Sequence, residues 1–189
     1  MDEQIGQVLQ TLMAGEGDRM WYVFRTRPRR EKKTAVQFAD MGLRYYLPLR
    51  EQVSRRKGRR HRSLLPLFPG YLFGCCDGGE RLRAMRGGHL SQWLEVADQE
   101  TLLAELRSIC VASMEGTGIK LYPQLRRGKW VRVVTGPLAG VRGRISRRKE
   151  SYRIVLEMTA LQSAVSVEVE MQDVEIDNVV GIGVLAETA

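Results

Sequence analysis

Between positions 55 and 62 the chain reads Arg55-Arg56-Lys57-Gly58-Arg59-Arg60-His61-Arg62, seven cations counting His61, with no acid from Gln52 to Cys76. So dense a field suits a phosphate backbone. Contact of that kind works by counterion release, so it is largely blind to base sequence and steeply dependent on salt. A solvated hairpin tip is the plainer use of the same run. A second field holds Arg126, Arg127, Lys129, Arg132, Arg142, Arg144, Arg147, Arg148 and Lys149, with no acid until Glu150. Only Trp130 and Tyr152 lie near it to stack on unpaired bases, so phosphate or an acidic partner suits it better than base reading.

Residues for covalent or acid–base chemistry are sparse. His61 and His89 are the two histidines, and neither stands in a pattern with a carboxylate or a cysteine. Cys75, Cys76 and Cys110 form an odd set without metal spacing, as expected of reduced, buried thiols in a cytoplasmic protein. There is no Gly-rich phosphate loop ending in lysine, no HExxH and no GxSxG. The expectation is a binding protein and not an enzyme, with no cofactor and no metal.

The totals agree with an acidic partner. The 189 residues carry a net charge of +8 and a pI near 9.8, and the positive excess ends at Arg153, beyond which no Lys or Arg occurs. Met1-Asp2-Glu3-Gln4 is acidic where a secretory signal is basic, and no apolar run approaches the roughly 18 residues that cross a membrane.

Several elements must position these fields. Residues 1–18 hold Ile5, Val8, Leu9 and Leu12 at helical spacing and are expected to pack weakly. Met20-Trp21-Tyr22-Val23-Phe24 reads as a buried strand. Pro28 is placed at the first turn of a helix with Ala35, Phe38 and Ala39 on one face, and Gly42 closes it. A strand over 43–49, a hairpin around Gly58 and a strand entered at 70–73 follow. Helices near 80–85 and 99–112, with a strand near 92–96 between them, complete an α+β unit over 19–112, an antiparallel sheet flanked by helices. A Gly-containing linker is set at 113–124. Five strands over 125–178 then describe a small all-β barrel with a tail at 179–189. Val165, Val167 and Val169 alternate with polar residues there, and Trp93 and Trp130 are read as core.

Three segments carry a resemblance. Trp21-Tyr22-Val23, then Phe68-Pro69-Gly70-Tyr71 with Leu72, then Gly128-Lys129-Trp130-Val131-Arg132-Val133 with Gly136-Pro137-Leu138-Ala139-Gly140 and Gly143 occur in order. Together they resemble the NusG family of transcription elongation factors, with an N-terminal NGN domain and a C-terminal SH3-like KOW domain. The resemblance implies docking on the clamp helices of the RNA polymerase β′ subunit, beside the β subunit. Its apolar patch would comprise Trp21, Tyr22, Phe68, Pro69 and Tyr71. Pro69-Gly70 offers a turn that would leave Phe68 projecting as an anchor.

In the family the hairpin lies close to upstream DNA and the polymerase gate. Arg55, Arg56, Lys57, Arg59, Arg60, His61 and Arg62 would then face upstream or non-template DNA or nascent RNA. Leu161-Gln162-Ser163 stands where housekeeping members carry Phe-Gly-Arg, and Leu138 where many carry Phe. These four residues mark the expected KOW partner site, and the missing ring and cation count against Rho or a ribosomal protein as the partner. The pattern points to a monomeric specialised paralogue of the RfaH, LoaP or UpxY kind that promotes antitermination at particular operons. A ribosome-associated or RNA-binding KOW protein and the general housekeeping factor are the alternatives.

Overall fold

The computed structural model describes residues 9–13, 15–56, 59–114, 120–122, 130–135, 138–148, 151–169 and 173–176. In chain order the first unit contains β1 (Met20–Thr26), α1 (Glu31–Asp40), β2 (Arg44–Tyr46), β3 (Leu49–Arg56), β4 (Arg59–Pro66), β5 (Tyr71–Cys76), α2 (Gly78–Arg86), β6 (Leu90–Glu95) and α3 (Gln99–Met114). The second contains β7 (Lys120–Tyr122), β8 (Trp130–Val133), β9 (Arg142–Arg148), β10 (Ser151–Met158), β11 (Ser163–Val169) and β12 (Val174–Ile176). This is the expected α+β domain followed by an all-β one.

The first sheet is antiparallel in the order β2-β5-β1-β6, and the pleat sends alternate residues of β1 to opposite faces. Trp21 and Val23 join Phe73 and Cys75 in a cluster with Leu102, Leu103, Leu106 and Ile109 of α3. Tyr22 and Phe24 join Leu72 and Cys76 in a second cluster with Ala35 and Phe38 of α1 and Ala84 of α2. Helices therefore cover both faces. Strands β3 and β4 stand outside this sheet and form a two-stranded sheet of their own.

Several expectations are corrected. The described part of the segment before β1 does not pack weakly, while residues 1–8 lie outside the described residues. Leu12 is fully buried, the Trp21 indole donates to the Met13 carbonyl (2.8 Å) and Arg107 Nε to the Leu12 carbonyl (3.0 Å). Helix α1 begins at Glu31 and not at Pro28, because Arg29 takes φ +58 and turns the chain before the helix can start. Its buried face is Glu31, Thr34, Ala35 and Phe38, which leaves Ala39 exposed. Gly42, at φ +68, follows its last turn as expected. Within the stretch expected as linker, α3 runs on to Met114, and Lys120–Tyr122 pairs with β11.

The second sheet is antiparallel throughout, in the order β12-β8-β9-β10-β11-β7. Val131, Val133, Leu138, Val141, Ile154, Leu156, Val165 and Val167 fill its interior. The two domains meet at α3. There the Glu105 carboxylate accepts the Thr159 backbone N–H (3.0 Å) and its hydroxyl, and one apolar cluster runs from Phe68 and Leu106 to the second domain's core.

Candidate functional site

The turn between strands 4 and 5 is built by proline and glycine. Leu67 is fully buried, Gly70 takes φ +85, and three hydrogen bonds fix the loop: Tyr71 N–H to the Phe68 carbonyl (3.2 Å), Thr26 N–H to the Gly70 carbonyl (2.8 Å), and Gly70 N–H to Glu31 Oε1 (2.8 Å). The expected projection of Phe68 does not occur. It is 3% exposed and stands edge-on to Phe73 with centroids 6.2 Å apart. Burying such a ring stabilises by about 1.5–3 kcal/mol, more than an isolated exposed anchor recovers before a partner arrives. Trp21 is fully buried and Tyr22 nearly so, one on each covered face. Gln99 further locks Trp21, with Oε1 accepting its N–H (2.8 Å) and Nε2 donating to its carbonyl (2.9 Å). Of the five expected patch residues, Pro69 is exposed and Tyr71 half-buried.

The basic hairpin is a ribbon with exact cross-strand partners from Leu49↔Pro66 to Arg56↔Arg59. Arg59, Arg60, His61 and Arg62 are exposed, while Lys57 lies outside the described residues. Arg55 and Arg56 take the register positions opposite Arg60 and Arg59. Arg62 meets Glu51 at 3.4 Å, and both ends are so exposed that the pair contributes little stability. Arg59, Arg60, His61 and Arg62 thus keep their reach into solvent. Val53 and Leu64 are exposed farther down the ribbon.

In the second domain, Trp130↔Arg144 and Arg132↔Arg142 are register pairs on the outward face, because Val131 and Val133 occupy the inward one. Arg144 lies 4.7 Å over the Trp130 ring and donates from Nε to Glu157 Oε1 (2.8 Å). The loop expected to meet a partner follows a 3-10 turn at Thr159–Leu161, with Gln162 exposed at φ +48. Ser163 is half-buried and donates to the Leu161 carbonyl (3.2 Å). Leu161 is also half-buried, whereas Leu138 is 5% exposed and belongs to the core. The Leu138 side chain packs in the core, and its carbonyl accepts from Val141 N–H (3.0 Å) in the β8–β9 bend.

Residues 19–100 match the family model described as transcription termination factor nusG. This chain carries a NusG-family domain. Two crystal structures of an MjSpt4:Spt5 complex are also similar. Conformation B is 16% identical with a TM-score of 0.28, covering 83% of this chain and 96% of that one. Conformation A is 14% identical with a TM-score of 0.29, covering 84% and 98%. Overlays this loose say nothing further about the chain. No curated protein matches it. The family assigns a general role in transcription elongation, and its members act without catalysis.

Cys75 and Cys76 of the NusG-family domain and Cys110 of α3 are buried. Burial pushes Cys76 up to about 12 and raises Cys75 and Cys110 too, which keeps them protonated and unreactive. No group of His, Cys, Asp and Glu among the described residues could hold a metal ion, and none of their helices is long and apolar enough to cross a membrane. Sequence reasoning misplaced the two outer tryptophans. Trp93 is 37% exposed on the edge strand β6, with Arg81 at 4.9 Å over its ring, and Trp130 is 36% exposed. The signals were present: Trp93 sits among Ser91, Gln92 and Glu95, and Trp130 is out of phase with Val131 and Val133.

Proposed function

We propose that this protein binds RNA polymerase through the Phe68-Pro69-Gly70-Tyr71 turn and promotes processive elongation or antitermination of particular operons. The clamp helices of the β′ subunit are its docking site, with the β subunit nearby. The observation that carries this is a NusG-family domain whose turn at 68–71 is pinned on three sides while presenting Pro69 and part of Tyr71. Pro69 and Tyr71 touch the polymerase. Trp21, Tyr22 and Phe68 support the turn and the sheet from within.

The hairpin cations, Arg55, Arg56, Lys57, Arg59, Arg60, His61 and Arg62, hold upstream or non-template DNA or nascent RNA by its phosphates. Leu161, Gln162 and Ser163 are the second domain's partner-facing loop, with neither ring nor cation to favour Rho or a ribosomal protein. The protein works as a cytoplasmic monomer, without a cofactor, as a specialised paralogue of the RfaH, LoaP or UpxY kind.

A pull-down with core RNA polymerase tests the docking surface. Tyr71→Ala and Pro69→Ala together should weaken capture by about ten-fold or more, as expected of central interface residues. Their thermal midpoints should stay near that of the wild type. Capture equal to wild type by the double variant would refute the turn as the docking point. Because Phe68 is buried, Phe68→Ala is informative only alongside its melting curve.

A further inference from the structure

A groove of about 540 Å³ runs between α3 and the second domain, with Glu105, Arg107 and Ser108 on the helix wall and Trp130, Arg132 and Arg142 on the other. We propose that this groove binds single-stranded nucleic acid, with a base stacked on Trp130 and phosphates held by Arg132, Arg142 and Arg107. This site is independent of the polymerase contact and of the hairpin.

Four observations converge on that chemistry. The indole is one of the few large rings left exposed, and it opens into the groove instead of the core. It is also held in place, because Glu157 fixes Arg144 and Arg144 lies over the ring. A guanidinium–indole pair so braced is a ready platform for a base, since little further ordering is needed on binding. Arg132 and Arg142 are exposed on the same outward face, a register step away from Trp130. Finally, the groove is lined by three arginines, Arg107, Arg132 and Arg142, against two carboxylates, of which Glu157 is paired with Arg144 and Glu105 accepts from Thr159.

The ring decides between strands. A duplex keeps its bases stacked on one another and offers no free face along its length, whereas an unpaired strand can splay a base onto an indole. Thr101 and Ser108 lie on the helix wall of the groove, with the Ser108 hydroxyl donating to the Ala104 carbonyl (3.0 Å). The site therefore fits the transcript or a displaced DNA strand, which share that chemistry.

The test uses the full chain with labelled oligouridylate, oligothymidylate and a blunt DNA duplex, each about ten nucleotides long, read by fluorescence anisotropy. Both single strands should bind, and Trp130→Ala should weaken them about ten-fold while Trp130→Phe restores most of the loss. Ser108→Glu, on the opposite wall and away from the barrel's own packing, should weaken both by a few-fold. All three ligands are compared in a background carrying Arg59→Glu and Arg60→Glu, which removes the hairpin's own phosphate contacts with single strands and duplex alike. A preference for oligouridylate names the transcript as the ligand, and a preference for oligothymidylate names a displaced strand; either supports the site. The proposal falls if the duplex binds as well as the single strands, if Trp130→Ala binds like that background, if Ser108→Glu has no effect, or if the background itself binds neither single strand.

Discussion

Gly143 shows how a single atom constrains the second domain. A Cβ there would lie 2.5 Å from the Val155 carbonyl oxygen and 2.6 Å from Ile154 Cγ2, contacts that backbone and a packed core side chain cannot both relieve. Gly143→Ala is expected to destabilise the second domain by about 1–3 kcal/mol, read as a lower midpoint in thermal unfolding. Ala139→Gly, at an exposed position of the same bend, should shift it much less. The same scale explains the first-domain patch. Phe68 and Tyr71 flank one turn, yet Phe68 packs edge-on to Phe73 and only Tyr71 retains solvent-facing surface. Substituting Tyr71 thus reports on partner binding, and substituting Phe68 reports first on packing.

At the scale of elements, the hairpin stands apart from the main sheet, so its charge can be changed at little cost to the core. Arg59→Glu, Arg60→Glu and Arg62→Glu together should weaken duplex DNA binding and flatten its dependence on salt, since about one released counterion is lost per phosphate contact. An unchanged salt slope in a filter-binding titration would contradict a phosphate-holding ribbon. Most elements were legible because their signals are local. An unbroken apolar run marked β1, alternation marked β8 and β11, Gly58 marked the hairpin, and Gly42 marked the end of α1. The errors arose where distant chain decides. Helix α1 starts late because Arg29 adopts a left-handed turn that nothing in Pro28-Arg29-Arg30 announces. Lys120–Tyr122 becomes a strand only because β11 offers an edge. The burial of Phe68 and Trp21 depends on α3 and on the segment around Leu12, which pack from opposite ends of the domain's sequence. The hairpin cations and the turn residues could be named in advance; which of the turn residues remain accessible could not.

For the whole molecule, the contact between α3 and the second domain sets how the two halves act together. Burial raises the Glu105 carboxyl above its ordinary 4.5, an effect that its bonds to Thr159 oppose and the nearby charges of Glu157 and Asp98 reinforce. A carboxyl whose value is raised on docking binds its proton more tightly in the docked form. Docking should therefore strengthen as pH falls through the docked value toward 4.5, and weaken once the group is fully ionised. Energy transfer between dyes on the two domains should rise over that window, and Glu105→Gln should flatten the response; a pH-independent signal in the wild type would exclude Glu105 as the sensor. The central claim, that the front domain grips RNA polymerase at its 68–71 turn, is tested most directly by placing a photo-crosslinking amino acid at Tyr71 in a reconstituted elongation complex. The account predicts an adduct to the β′ clamp helices. An adduct confined to another polymerase surface, or none while a crosslinker at Gln162 reacts with β′, would contradict it.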